Sequence, residues 1–254
     1  MVHFVGAGPG APDLITLRGA KLLREADQVI FAGSLVNPEL LRECREDCRI
    51  LNSAHMTLEQ VLEAIREAEA EGRVTVRLHT GDPSVYGAIR EQMDALNESG
   101  ISYDVTPGVS SFCAAAAALG AEYTLPGVSQ TLILTRQAGR TPVPERESIA
   151  ALAAHGSSMA VFLSAGMLSE LREELLKGGC SAETPAAIVY KASWPEEKTI
   201  RCTVGDLPER AANQGIDKTA LILVGDFLES VYERSCLYDP GFETGYRKGK
   251  NDEA

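Results

Sequence analysis

The chain has 254 residues, 44% of them hydrophobic and 24% charged, the composition of a globular protein with room for one large domain or two modest ones. Its 36 acidic and 24 basic residues give a net charge of −12, which argues against general binding to nucleic acid or to an anionic membrane. The longest apolar run, residues 113–119, is far too short to cross a bilayer.

The start, Met1 to Gly6, reads as a strand and not as a signal peptide, because it lacks a basic region and a cleavage site. The six cysteines are scattered and read as free thiols, so cytoplasmic residence is expected. Cys44 and Cys48 stand at i and i+4, but no histidine lies near them and no metal site is expected.

The first strand runs into Gly6-Ala7-Gly8-Pro9-Gly10-Ala11, formally the G-x-G-x-x-A dinucleotide fingerprint. Pro9 removes a donor from that loop, and the next strand, 28–32, ends in Gly33-Ser34 with no acid for a ribose. The loop therefore reads as a glycine turn that lets a ligand approach backbone. Between these strands, residues 13–27 carry a helical apolar face. Asn37-Pro38 is a helix start, and Thr57 to Gln60 is a capping box opening a longer helix.

The run Val74-Thr75-Val76-Arg77-Leu78 is a buried strand leading into Leu78-His79-Thr80-Gly81-Asp82-Pro83-Ser84-Val85-Tyr86-Gly87. Thr80 to Pro83 falls on a strand-to-helix turn at the carboxyl edge of a parallel sheet, where open α/β sheets bind ligands. Pro83 is expected to preset a helix beginning near Ser84. A ligand site and an ordinary capped turn are both open readings of this stretch alone. A further strand at 103–106 ends in Pro107-Gly108-Val109-Ser110-Ser111, followed by a small-residue helix over 112–119. Ser110 either faces a ligand or caps that helix.

The strand–helix alternation weakens at 120–127, and the domain boundary is placed there: an N-terminal α/β domain over 1–120, a C-terminal domain over 121–236, and a mobile tail over 237–254. The second half is richer in strands, at 131–136, 159–163, 186–191, 198–204 and 219–224, with helices at 145–155, 167–177 and 207–213. A mixed-sheet α+β domain follows. No G-x-S-x-G elbow, P-loop or His–Cys ligand spacing occurs, so the chain is either a binding protein or an enzyme that works by holding reactants.

Taken together, Gly6-Ala7-Gly8-Pro9-Gly10, Thr80 to Gly87 and Pro107 to Phe112 resemble the tetrapyrrole methylase family. The resemblance implies two α/β domains, distinct from the Rossmann-type methyltransferase fold, with S-adenosylmethionine in the cleft between them and S-adenosylhomocysteine as product. Residues 125–145, 160–167 and 224–228, with 31–36 and the His79-Thr80 pair, are similar to the branch of the family that methylates precorrin-4, with or without cobalt, in cobalamin synthesis. The His79-Thr80 turn and residues 31–36 lean towards the cobalt form.

Carried over by motif, Gly8 and Pro9 lie beside the cofactor, and Gly81, Asp82, Pro83, Val85 and Tyr86 floor its pocket. Ser110 and Ser111 contact it through amides and hydroxyls. Phe162 and Leu163 cover the adenine, and Ala192, Thr219 and Ala220 supply the remaining contacts, although plain core packing of Phe162 and Leu163 stays open. The resemblance also implies a homodimer and a corrinoid (precorrin) substrate with several carboxylates. Arg136, Arg140 and Lys191 are candidate partners for its acidic arms, weighed against ordinary solvated charges. Asp82, Asp104, His79 and Tyr86 are candidate proton-transfer groups by location. A nicotinamide-dependent oxidoreductase, a sister methyltransferase acting on protein or RNA, and a non-catalytic binding module remain the competing readings.

Overall fold

A computed structural model describes residues 1–229 and 231–249, and for Ser34 the backbone alone. The chain divides into two compact units: Met1–Ala118 with Lys191–Lys198, and Leu119–Tyr190 with Thr199–Ala254. The excursion of 191–198 into the first unit is a departure from the contiguous division expected from the sequence.

The first unit holds β1 (Val2–Gly6), α1 (Leu17–Glu25), β2 (Gln28–Phe31), β3 (Arg49–Asn52), α2 (Leu58–Ala70), β4 (Thr75–His79), α3 (Arg90–Glu98), β5 (Tyr103–Thr106) and α4 (Ser111–Leu119) in chain order. Its sheet has the order β3-β2-β4-β1-β5, and every pairing is parallel. Alternation along the strands sends Val5, Val29, Val76 and Leu78 to one face, packed with Leu23 of α1 and Leu40. Val2, Phe4 and Ile30 go to the other face, against Val61, Leu62 and Ile65 of α2 and Leu96 of α3. Covered on both faces, β4 is buried at every residue.

Two local expectations differ. β3 was not anticipated: it is four residues long, opens with the exposed Arg49 and Ile50, and lies at the sheet edge, so it carries no apolar alternation. The helix expected from Ser84 begins only at Arg90, because Tyr86 (φ 56°) and Ala88 (φ 49°) are left-handed and cannot continue a right-handed turn. Pro83 thus opens a turn and not a helix. Asn37-Pro38 does start a helical segment, but a 3-10 one over Pro38–Glu43.

The second unit holds β6 (Leu132–Arg136), α5 (Ile149–Ala153), β7 (Ser158–Phe162), α6 (Leu168–Lys177), β8 (Pro185–Tyr190), β9 (Lys198–Thr203), α7 (Leu207–Asn213) and β10 (Ala220–Val224). Its sheet has the order β6-β7-β10-β8-β9 and is mixed: β6 and β7 are parallel, whereas β10 is antiparallel to both β7 and β8. Met159, Val161, Ile188, Ile222 and Val224 of the sheet pack against Leu171 and Leu175 of α6 and Leu207 and Ala211 of α7. Beyond Tyr238 the Arg247 guanidinium donates to the carbonyls of Leu237, Asp239 and Phe242. Residues 250–254 of the expected tail lie outside the described residues.

Candidate functional site

In the first unit the loops after β1, β4 and β5 leave the same edge of the sheet, since all its strands are parallel. The loop after β1 leads to α1 on one face, and the loop after β4 leads to α3 on the opposite face. The edge between β1 and β4 is therefore the switch point at which open α/β sheets bind ligands.

Close backbone contact holds the three loops together. Gly81 N donates to Gly8 O at 2.8 Å, and Gly8 N to Gly81 O at 3.3 Å. A Cβ added to Gly108 would lie 2.1 Å from Gly81 O and 2.8 Å from Gly6 Cα, so these crossings admit no side chain. A Cβ at Gly81 itself would sit 3.4 Å from Ser110 Cα and 3.6 Å from Ser111 N, which places both serines directly against the Gly81 turn.

Asp82 fastens this arrangement. Its Oδ2 accepts from Gly108 N at 2.9 Å, and its Oδ1 accepts from Ser84 N at 2.8 Å and from the Ser84 hydroxyl. Burial opposes ionisation of this carboxyl, but the hydrogen bonds from the Ser84 hydroxyl and from the Gly108 and Ser84 amides outweigh it and hold it below the usual carboxylate range. A carboxylate engaged in this way is a poor proton acceptor.

His79 ends β4 and is only 3% exposed. Burial, reinforced by the Arg77 charge, pushes its imidazole down to about 3, so it is neutral at physiological pH. Its Nε2 has no hydrogen-bond partner, and its ring lies 6.0 Å from that of Phe4. Asp104, another proton-transfer candidate, is not brought to the edge loops. It pairs in register with His3, two residues (about 7 Å) before the end of β5, and its carboxylate meets His3 Nδ1 at 2.8 Å. Tyr86 does stand at the edge, 46% exposed and left-handed.

Sequence reasoning missed the segment that closes the loop after β1. The Trp194 indole donates to Pro9 O at 3.0 Å, and its ring occupies the space a Gly10 Cβ would need, at 2.0 Å. Ser193 Oγ accepts from Ala11 N at 3.0 Å, and Asn37 Nδ2 donates to Gly10 O at 2.9 Å. The only signal was that the single tryptophan sits in a polar stretch, Lys191-Ala192-Ser193-Trp194-Pro195, where no core residue belongs. Lys191 contacts Glu196 at 3.2 Å and lies 5.1 Å from the Trp194 ring, while Ala192 is buried beside it.

These bonds also remove the dinucleotide reading. The Gly8 and Ala11 amides are already spent within the protein, Pro9 has none, and α1 starts at Leu17 under its own Thr16 cap. A pyrophosphate would find neither of these amides free.

In the second unit, Leu163 is left-handed (φ 54°) and 62% exposed, and Thr219 is left-handed as well (φ 54°). An exposed, strained leucine is not core packing, which removes that alternative for Leu163. Phe162 ends β7 half-buried, and Ala220 opens β10. The Arg136 guanidinium donates to the carbonyls of Thr141 at 3.1 Å and Pro142 at 2.7 Å, so it shapes the 137–144 loop, whereas Arg140 is exposed. Among the described residues no group of three or more side chains could hold a metal ion.

Two α/β units, one with a fully parallel sheet whose edge loops meet at glycines and one with a mixed sheet, define a class of protein distinct from the Rossmann-type methyltransferases. The chain belongs to the Tetrapyrrole (Corrin/Porphyrin) Methylases, whose family pattern it matches over residues 1–208. It is 52% identical to a protein of Methanocaldococcus jannaschii named cobalt-precorrin-4 C(11)-methyltransferase, over 97% of this chain and 96% of that one. It superposes with a TM-score of 0.88 and 46% identity on the X-ray structure of a cobalamin biosynthetic enzyme, cobalt precorrin-4 methyltransferase, covering 90% of this chain and 96% of the other. A uroporphyrin-III C-methyltransferase from Thermus thermophilus, solved in complex with S-adenosylhomocysteine, matches with a TM-score of 0.75 and 25% identity over 89% of this chain and 98% of that one. Other relatives, at 45–48% identity, carry the precorrin-4 name without cobalt.

Proposed function

We propose that this chain is an S-adenosylmethionine-dependent methyltransferase that methylates C-11 of precorrin-4, in the cobalt-bearing form by preference, on the route to cobalamin. The observation that carries the reading is the 52% identity, end to end, with a relative of that name. A related methyltransferase crystallised with S-adenosylhomocysteine supports the cofactor.

The residues at the first unit's edge fit the cofactor. The glycine crossings bring the three edge loops into backbone contact, and Tyr86 is held exposed in a conformation that its surroundings must stabilise. In this reading Gly8 and Pro9, the turn Gly81-Asp82-Pro83 with Val85 and Tyr86, and Ser110 and Ser111 hold the cofactor. Ala192 is the candidate from the excursion, and Phe162, Leu163, Thr219 and Ala220 are the second unit's candidates. Once bound, the cofactor supplies an already activated methyl group on a sulfonium. The protein's part is orientation, which can lower a barrier by about 7–11 kcal/mol.

Asp82 acts as the fastener of the loops and not as the base. His79, neutral and buried, can donate or accept a hydrogen bond without carrying charge. Arg140, with Lys191, is the candidate for the macrocycle's carboxylate arms, and Arg136 shapes the loop that carries Arg140. A homodimer and cytoplasmic residence belong to the same proposal. The homodimer rests on the family resemblance, and the six free cysteines support a reducing compartment.

The test is a turnover with S-adenosylmethionine and either precorrin-4 or cobalt-precorrin-4. The product should be heavier by one methyl, with one S-adenosylhomocysteine formed per product, and carbon NMR should place the new methyl at C-11. A methyl at another carbon, or no transfer to either substrate, would remove the reading.

A further inference from the structure

The loop after β4 is fastened at both ends by different means. At its front, Asp82 holds the Gly108 amide. In its middle the turn is tight, since a Cβ at Gly87 would lie 2.1 Å from Pro83 O. At its rear the chain passes through Tyr86 and Ala88, both left-handed. Such backbone is disfavoured for residues with a Cβ and persists only where the surroundings fix it.

What fixes the rear is a buried polar chain. Gln92, in α3, donates from Nε2 to Ala88 O at 3.0 Å. Its Oε1 accepts from Arg77 Nε, also at 3.0 Å. Arg77 is 6% exposed, and its other nitrogens donate to Ile30 O at 2.8 Å and Ser53 Oγ at 3.1 Å. Among the described residues no carboxylate pairs with it. A buried cation without a counterion is expensive, and an apolar residue would pack this strand position at less cost. A guanidinium can only donate, however, so it forces the Gln92 amide oxygen towards itself and the amide nitrogen towards Ala88.

We infer that Arg77 and Gln92 are positioning residues for the cofactor loop: Arg77 orients the Gln92 amide, and Gln92 holds the Ala88 carbonyl and with it the left-handed turn that presents Tyr86. The inference rests on the reading that this loop receives S-adenosylmethionine.

Gln92→Glu separates this role from general support of the fold. Glutamate keeps the acceptor for Arg77 and gives the buried cation a counterion, but its carboxylate has no donor for Ala88 O and repels it. Gln92→Met keeps the volume and removes both bonds. Calorimetry with S-adenosylhomocysteine should show binding weakened about tenfold in both variants, the size of one lost hydrogen bond. Gln92→Glu should melt within a few degrees of the wild type. In turnover, the KM for S-adenosylmethionine should rise with kcat kept within about twofold. Wild-type affinity for S-adenosylhomocysteine in either variant overturns the inference, as does a fall in melting temperature and kcat with KM unchanged. Absence of S-adenosylhomocysteine binding by the wild-type protein overturns the functional reading and this inference with it.

Discussion

The two units solve the same packing problem with sheets of opposite logic. In the first, five parallel strands deliver every strand-to-helix loop to one edge, and backbone contacts among Gly6, Gly81 and Gly108 join three of those loops. In the second, β6, β7 and β8 share one direction and β10 runs against its neighbours β7 and β8, so the ends of β6, β7 and β8 meet the start of β10 at one edge. Its ligand candidates stand at that edge, and two of them, Leu163 after β7 and Thr219 before β10, are left-handed. The parallel sheet gathers strand-to-helix loops alone, whereas the mixed sheet gathers strand ends and a strand start, and two of the residues there are left-handed.

The largest effect should come from breaking the glycine crossing. Gly108→Ala pushes a methyl into Gly81 O and should cost about 3 kcal/mol or more, seen as a fall in chemical-denaturation stability. Gly100→Ala is the control: its φ of 67° is unfavourable, but nothing lies within 4 Å, so the loss should be only about 1 kcal/mol. Equal losses at the two positions would mean that backbone conformation, and not loop contact, governs the edge.

Next comes Asp82→Ala, which frees the Gly108 and Ser84 amides and should cost about 2 kcal/mol, with S-adenosylhomocysteine affinity falling as well. Because the folded carboxyl titrates below its unfolded value, this contribution is present above the unfolded value and is lost as pH falls through the folded one. Unaltered affinity in the variant would detach Asp82 from the site.

His79 produces a pH effect of similar sign by a different route. Its folded value of about 3 lies below the ordinary 6.5, so between these pH values the unfolded chain binds the extra proton. Stability should therefore rise with pH across that window, by up to about 1.4 kcal/mol per unit. His79→Phe should flatten the profile, and an unchanged slope would show that His79 is not the group responsible.

The smallest effect belongs to the second unit. Leu163→Asn replaces an exposed left-handed leucine with a residue that tolerates this backbone, and should stabilise by about 0.5–1 kcal/mol while weakening S-adenosylhomocysteine binding. A destabilised variant would show that Leu163 packs after all.

Much of this was legible in the sequence, because glycines, prolines and alternating apolar residues act locally. The runs that became β1, β4 and β5 could be read, and so could the three edge motifs. Residues whose meaning is set at long range could not. Asn37 read as a helix cap, and its second bond, to Gly10, depends on a neighbour 27 positions away. Trp194 reaches back to Pro9 across 185 positions. Tyr86 and Ala88 carry nothing in their chemistry that announces left-handed backbone, so a helix was expected where a strained turn stands. β3 was too short and too exposed to alternate.

The central claim is that the first unit's edge loops hold S-adenosylmethionine. Trp194, the chain's only tryptophan, packs against the loop after β1 and reports on it directly. Titration with S-adenosylhomocysteine should change Trp194 fluorescence saturably at one ligand per chain, and a hundredfold excess over Kd should stabilise the protein by about 2.7 kcal/mol. NAD should do neither. A saturable response to NAD, or none to S-adenosylhomocysteine, would contradict the account.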